Sequence, residues 1–200
     1  VEGNFISDAD IKIINLNYHN KPKYEKVDIN KPLVNYDIET KFTESNEFRN
    51  DIICKICSKL ENNTLIVVEH IKHGELLYDI LSKNTNKKVF FIRGNVSVED
   101  REKYKAIIEL EDDHICIAIS KIFSTGINIK NLHYIVFASA GKAKIKLIQS
   151  IGRGVRLHKN KNKLFIFDIA DNLKYGAKHV SKRKDIYEEE GFSIKECEIA

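Results

Sequence analysis

The chain has 200 residues, 42% hydrophobic and 31% charged, with a formal net charge of +4. That composition fits one ordinary domain with a real core and a solvated surface, and it excludes a disordered chain. The small positive excess permits a nucleic-acid partner without arguing for one.

No apolar run approaches the ~18 residues of a membrane span and no signal peptide opens the chain, so a non-membrane, intracellular protein is expected. The absence of methionine, even at position 1, leads us to expect that the chain starts inside a longer protein. The four cysteines are Cys54, Cys57, Cys116 and Cys197. They lack the second close pair that a tetrahedral metal site needs, and core packing or a place on a helix surface is expected of them.

In chain order, residues 1–44 read as a connecting or capping segment with one strand at Ile11–Tyr18, interrupted afterwards by Pro22 and Pro32. From Glu44 to Leu60 apolar residues recur at helical spacing. A turn at Glu61-Asn62-Asn63 leads into TLIVVE, a near-continuous apolar run. GELLYDILSK is helical and KKVFFI is a further buried strand. SVEDREKYKAIIEL opens with Ser97 followed three residues later by Asp100, the spacing of a capping box, and continues as an amphipathic helix.

HICIAIS, YIVFAS and KLFIFDIA are three more apolar strands, with helices expected over Lys142–Gly152 and Asp171–Glu190. Asp168 and Asp171 flank the end of the last of these strands, where capping of the final helix or a role at the cleft is expected, capping being favoured. Strands apolar on both faces, alternating with helices, indicate a parallel sheet covered on both sides. One doubly wound α/β domain over residues 45–190, with a tail at 191–200, is the resulting fold.

Ligands of such sheets bind beyond the carboxyl ends of the strands, which directs attention to five loops. After HICIAIS come Ser124, Thr125, Gly126 and Asn128, which form either an anion-binding turn or an ordinary turn into the next strand. QSIGRGVR, residues 149–156, ends a helical stretch with Gly152 and Gly154 and sets Arg153 and Arg156 three apart. Two guanidiniums on one side repel as packing but suit a multiply charged anion held between them.

His70 and His73 have the spacing of a metal pair without a third ligand nearby, so no metal site is expected and polar loop roles are. Arg93 and Asn95 follow the KKVFFI strand at the same sheet edge, and Lys72, Lys121, Lys142, Lys144 and Lys146 add positive charge. There is no GxxxxGK[ST] loop, no Gly-rich dinucleotide fingerprint and no DExx box, so this chain lacks the usual means of cradling nucleotide phosphates and Mg2+.

QSIGRGVR resembles motif VI, the QxxGRxxR element of superfamily 2 helicases, and FSTGINI resembles their motif V. TLIVVEHIKHGELLYDIL and VFFIRGNVSVEDREK resemble the motif IV and IVa regions, in the right order across Thr64–Ala170. Within the superfamily, KIFSTGINIKNLHYIVFASAGKAKIKLIQSIGRGVRLHKN and the tail KHVSKRKDIYEEEGF are similar to a branch of phage recombination and repair helicases.

The resemblance implies a RecA-like second domain that closes over ATP and Mg2+ held mainly by its own N-terminal RecA-like partner. It implies no bound cofactor in this chain alone and no ATP hydrolysis by it. It casts Arg156 as an arginine finger, Arg153 as its phosphate-contacting partner and Gln149 as an interface residue. Gly126, Asn128 and Gly152 belong to the nucleotide-linked motifs, and Ser124 and Thr125 lie nearest the nucleic-acid backbone. His70, Lys72, His73, Arg93 and Asn95 fall where strand-contacting loops are expected.

DNA, single-stranded or branched, or an RNA–DNA hybrid, is the implied partner. A monomeric chain without membrane contact is expected, in a host cytoplasm if phage-encoded. A helicase-like nucleic-acid-binding module without an ATPase role and a viral transcription-associated translocase subunit are the alternatives. A nucleotide-binding metabolic enzyme is disfavoured by the missing glycine fingerprint.

Overall fold

The computed structural model describes residues 9–26, 33–93, 97–123, 131–139 and 163–200. Its elements are β1 (Ala9–Leu16), α1 (Val34–Ser45), α2 (Glu47–Lys59), β2 (Thr64–Val68), α3 (Ile71–Asn84), β3 (Val89–Ile92) and α4 (Val98–Leu110). They continue with β4 (Ile115–Ile119), α5 (Ser120–Phe123), β5 (Tyr134–Phe137), β6 (Leu164–Asp171), α6 (Gly176–Glu189) and β7 (Ser193–Ile199).

Seven strands form one sheet in the order β3-β4-β2-β5-β6-β1-β7, and every pairing between neighbours is parallel. β2 and β4 are buried at every position, as the uninterrupted runs TLIVV and ICIAI require of strands covered on both faces. One face carries Ile11, Ile13, Leu65, Val67, Ile135 and Phe137 beneath Tyr104 of α4 and Val180 and Tyr187 of α6. The other carries Ile14, Ile66, Val68, Ile117 and Val136 beneath Ile52, Ile53 and Cys57 of α2 and Leu77 and Leu81 of α3. Each such Val, Leu or Ile contributes roughly 1.5–3 kcal/mol over leaving it exposed.

The strand expected at Ile11–Tyr18 is present as β1, and where the sequence led us to expect a tail the structure has a further sheet strand, β7. β1 pairs with β6 on one side and β7 on the other, from Asp10 opposite Ser193 to Leu16 opposite Ile199. The alternating, half-exposed pattern of SIKECEI is what an edge strand looks like, and it carries no apolar run to announce it.

The expected turn at residues 61–63 also does more than turn. Asn62 takes a left-handed φ of 70°. Asn63, fully buried, donates to the carbonyls of Glu111 and Asn131 and accepts from the His114 amide, which joins the amino-terminal ends of β2, β4 and β5.

The helix-capping role expected of Asp168 and Asp171 is corrected by the structure. Three residues apart on β6, they point to opposite faces, and each is buried against an arginine and a tyrosine. Asp168 accepts from Arg183 at 2.7 and 3.0 Å and from the Tyr187 hydroxyl at 2.8 Å. Asp171 accepts from Arg49 at 2.8 and 3.2 Å and from the Tyr18 hydroxyl at 2.5 Å.

Burial by itself would lower the pKa of Arg49 and Arg183, but the facing carboxylates more than offset it and both stay charged. The amino end of α6 is capped from afar instead. Glu39 of α1 accepts from the Gly176 amide at 2.6 Å and from the Tyr175 amide at 3.0 Å, putting negative charge at the positive end of the helix dipole.

Removing one partner of a buried, hydrogen-bonded ion pair leaves the other charge uncompensated, at a cost of about 3–5 kcal/mol. Asp171→Asn is therefore expected to lower unfolding stability by about that amount in urea titrations. The triple change Arg49→Met, Asp171→Leu, Tyr18→Phe removes the whole group together and is expected to recover most of the loss.

Candidate functional site

The carboxyl ends of the strands form one rim, and the sequence motifs follow it in chain order. After β2 come Glu69 and His70. His70 precedes α3 and is exposed, with its ring Nδ1 2.7 Å from Glu44 Oε1 at the end of α1. Lys72 is exposed on the first turn of α3. After β3, Arg93 lies with its guanidinium 5.7 Å from the Phe91 ring and binds Glu75 at 2.7 Å.

That last contact ties the end of β3 to the second turn of α3, next to Gly74. A Cβ at Gly74 would stand 2.4 Å from the Phe91 ring, so only glycine lets α3 begin this close to β3. His70, Lys72 and Arg93 are thus brought to one end of the sheet, as the sequence led us to expect.

His73 is not exposed with them. Its side chain turns inward, is 2% exposed, and meets Asn50 Oδ1 on α2 at 3.0 Å through Nε2. Burial first, and then the neighbouring Arg49 charge, push its pKa from 6.5 down to about 3, so it stays neutral. His73 is therefore not on the exposed rim with His70, Lys72 and Arg93, and its Nδ1 has no hydrogen-bond partner among the described residues. The two histidines bond to different partners on different helices, and the pair does not converge on a common point.

After β4, Ser120 is buried and Lys121 exposed at the start of α5. After β5, Ser139 is buried, and its Oγ has no hydrogen-bond partner among the described residues. Ser124, Thr125, Gly126, Asn128, Gln149, Gly152, Arg153, Arg156 and Asn95 lie outside the described residues.

The described rim is electrically mixed, because Glu44 and Glu75 accompany His70 and Arg93. Further positive charge is carried in sequence by Lys142, Lys144, Lys146, Arg153 and Arg156, which follow Ser139 in the chain and lie outside the described residues. Among the described residues no group of three or more His, Cys, Asp or Glu side chains is placed to hold a metal ion. No helix among them is long and apolar enough to cross a membrane.

Cys54, Cys57 and Cys116 are packed in the core, as expected, and burial pushes the thiols of Cys54 and Cys116 up to about 12. They are unreactive at neutral pH.

The family model for the helicase conserved C-terminal domain matches residues 49–158, from the first turn of α2 through QSIGRGVR. The chain belongs to this helicase C-terminal domain family. It is a RecA-like domain of superfamily 2, related to the phage UvsW type. It is 34% identical over 152 residues, 74% of its length, to the "ATP-dependent DNA helicase uvsW" of Enterobacteria phage T4.

The crystal structure of T4 UvsW superposes on 96% of this helicase domain with a TM-score of 0.73 and 26% identity. The yeast DEAD-box splicing factor Prp28 shares the fold over 97% of it, with a TM-score of 0.64 at 16% identity. The domain spans 30% of the length of the phage protein and 42% of its crystallised chain.

His73 generates a testable pH dependence. The unfolded chain binds a proton at His73 near pH 6.5 and the folded domain only near pH 3, so this residue makes folding less favourable as pH falls below 6.5. Stability is expected to rise with pH across that window, and His73→Gln is expected to flatten the rise. Urea midpoints measured from pH 4 to 8 for both proteins check it.

Proposed function

We propose that this chain is the second RecA-like half of an ATP-dependent DNA helicase or translocase acting on branched DNA or R-loops. The observation that carries the reading is the placement of motif-like segments in family order after successive strands of one parallel sheet. The 69–75 segment follows β2, Arg93 follows β3, FSTGINI begins in α5 beyond β4, and QSIGRGVR follows β5 in the chain. The printed name of the phage relative, 34% identical to this chain, supports the choice of DNA and of ATP dependence.

In this reading Arg156 reaches the terminal phosphate of a nucleotide held by a first RecA-like domain, as an arginine finger. Arg153 beside it contacts phosphate or the facing domain, Gln149 lies at the same interface, and Gly152 lets the turn approach closely. ATP with Mg2+, when bound, supplies the phosphoryl group whose developing charge these guanidiniums stabilise. Because the finger is on this domain, hydrolysis waits for closure.

Gly126 and Asn128 link the nucleotide side of the rim to the nucleic-acid side. Ser124, Thr125, His70, Lys72, Arg93 and Asn95 meet the sugar–phosphate backbone, with little sequence preference. Each closure and opening then changes the spacing between footholds on the two domains and moves the protein along a strand.

The test is DNA-stimulated ATP turnover by the polypeptide joining this chain to a first RecA-like domain, with and without Arg156→Ala. The variant is expected to bind ATP and branched DNA normally and to turn over at least ~100-fold more slowly, the scale of one lost transition-state contact. Normal turnover by the variant would make the domain a nucleic-acid-binding module with no catalytic arginine.

A further inference from the structure

α2 crosses its face of the sheet on a diagonal. Arg49 near its start meets Asp171 at the carboxyl end of β6, and the Leu60 carbonyl at its far end accepts from Lys87, beside the amino end of β3. Among the described residues, the corner left open is the amino-terminal half of β5, β6, β1 and β7. Parallel register places Tyr134, Phe165, Asp10 and Ser193 in one row there, and Val136, Phe167, Lys12 and Lys195 in the next.

Phe165, on an interior strand of the sheet, is 40% exposed. Tyr134 is half-buried beside it with ring centroids 5.9 Å apart, and Phe167 lies 6.3 Å from Tyr134. Lys12 and Lys195 are exposed and make no ion pair among the described residues. The acid in these rows, Asp10, is neutralised by Lys163 at 2.9 Å. Glu196 and Glu198 of β7 alternate onto the opposite face. The corner is therefore aromatic at its centre and positive along one side.

We propose that this open corner binds single-stranded nucleic acid, with bases stacked on Phe165 and Tyr134 and phosphates beside Lys12 and Lys195. Stacking on aromatic rings flanked by cations is the general means of gripping an unpaired strand without reading its sequence. Uncompensated lysines beside the rings favour a polyanion over an apolar protein surface. The corner lies at the end of the sheet away from the motif-bearing rim, so it is a second foothold, independent of nucleotide-driven closure. The inference rests on the nucleic-acid partner of the proposed function and not on its ATPase.

Binding of a fluorescein-labelled oligothymidine to the chain, read by anisotropy across a salt series, tests it together with crosslinking from a 5-iodouracil-substituted strand. Phe165→Ala is expected to weaken binding about tenfold while leaving the urea midpoint unchanged. Lys12→Gln with Lys195→Gln is expected to reduce the salt slope by about 0.7 per lysine. Crosslinks are expected at Phe165 or Tyr134.

Unchanged affinity in both variants, with crosslinks confined to residues 69–75 and 120–128, would overturn the proposal and leave the rim reading standing. No oligonucleotide binding by the wild-type chain would overturn both. Loss of self-association in Phe165→Ala, with oligonucleotide binding intact, would make the corner a contact between copies and overturn it as well.

Discussion

β6 is held by an aspartate on each of its faces, and the rest of the domain is organised around that arrangement. Asp168 ties the strand to α6 through Arg183 and Tyr187. Asp171 ties it to α2 and to the end of the β1 region through Arg49 and Tyr18. Buried charges of this kind give little net stability over apolar packing, but they tolerate one geometry and penalise others. They fix where α2 starts, and hence which part of the sheet α2 covers and which corner it leaves open. They also sit beside the loop that Glu39 anchors by capping α6, so both helical layers are referenced to the carboxyl end of one strand.

Much of this was legible in the sequence, and the parts that were not share a physical reason. TLIVV and ICIAI announce buried parallel strands because both of their faces are apolar, and Ser97 with Asp100 announces a helix start because the cap is local. In the structure the Ser97 hydroxyl accepts from the Asp100 amide at 3.0 Å. Long-range partners leave no such mark. Glu39 and Gly176 are 137 residues apart, so Asp171, the nearer acid, looked like the cap.

β7 was hidden because an edge strand needs only half of its residues to be apolar. His73 looked like its neighbour His70, and its inward turn depends on Asn50, a residue of another helix. The candidate site divides the same way. The rim that holds His70, Lys72 and Arg93 followed from strand order, whereas the pairing of Arg93 with Glu75, next to Gly74, did not.

A domain of this kind has two ends with different demands. In the proposed function the carboxyl-end rim changes partners during a nucleotide cycle, and its described part carries the exposed side chains of His70, Lys72 and Arg93. The amino-terminal end is stapled by Asn63 and presents the aromatic side chains of Tyr134 and Phe165. The proposed division of labour, a gated ATP-facing rim and a static strand-holding corner, follows from that contrast.

The central claim is that Arg156 completes a nucleotide site from across a domain boundary. The most direct measurement is a crystal structure of the polypeptide joining this chain to a first RecA-like domain, with ADP and aluminium fluoride and a DNA strand. The account requires the Arg156 guanidinium within about 2.7–3.1 Å of the fluoride group, with Arg153 on the same side. A closed cleft in which both arginines face solvent, or bind carboxylates of their own domain, would contradict it.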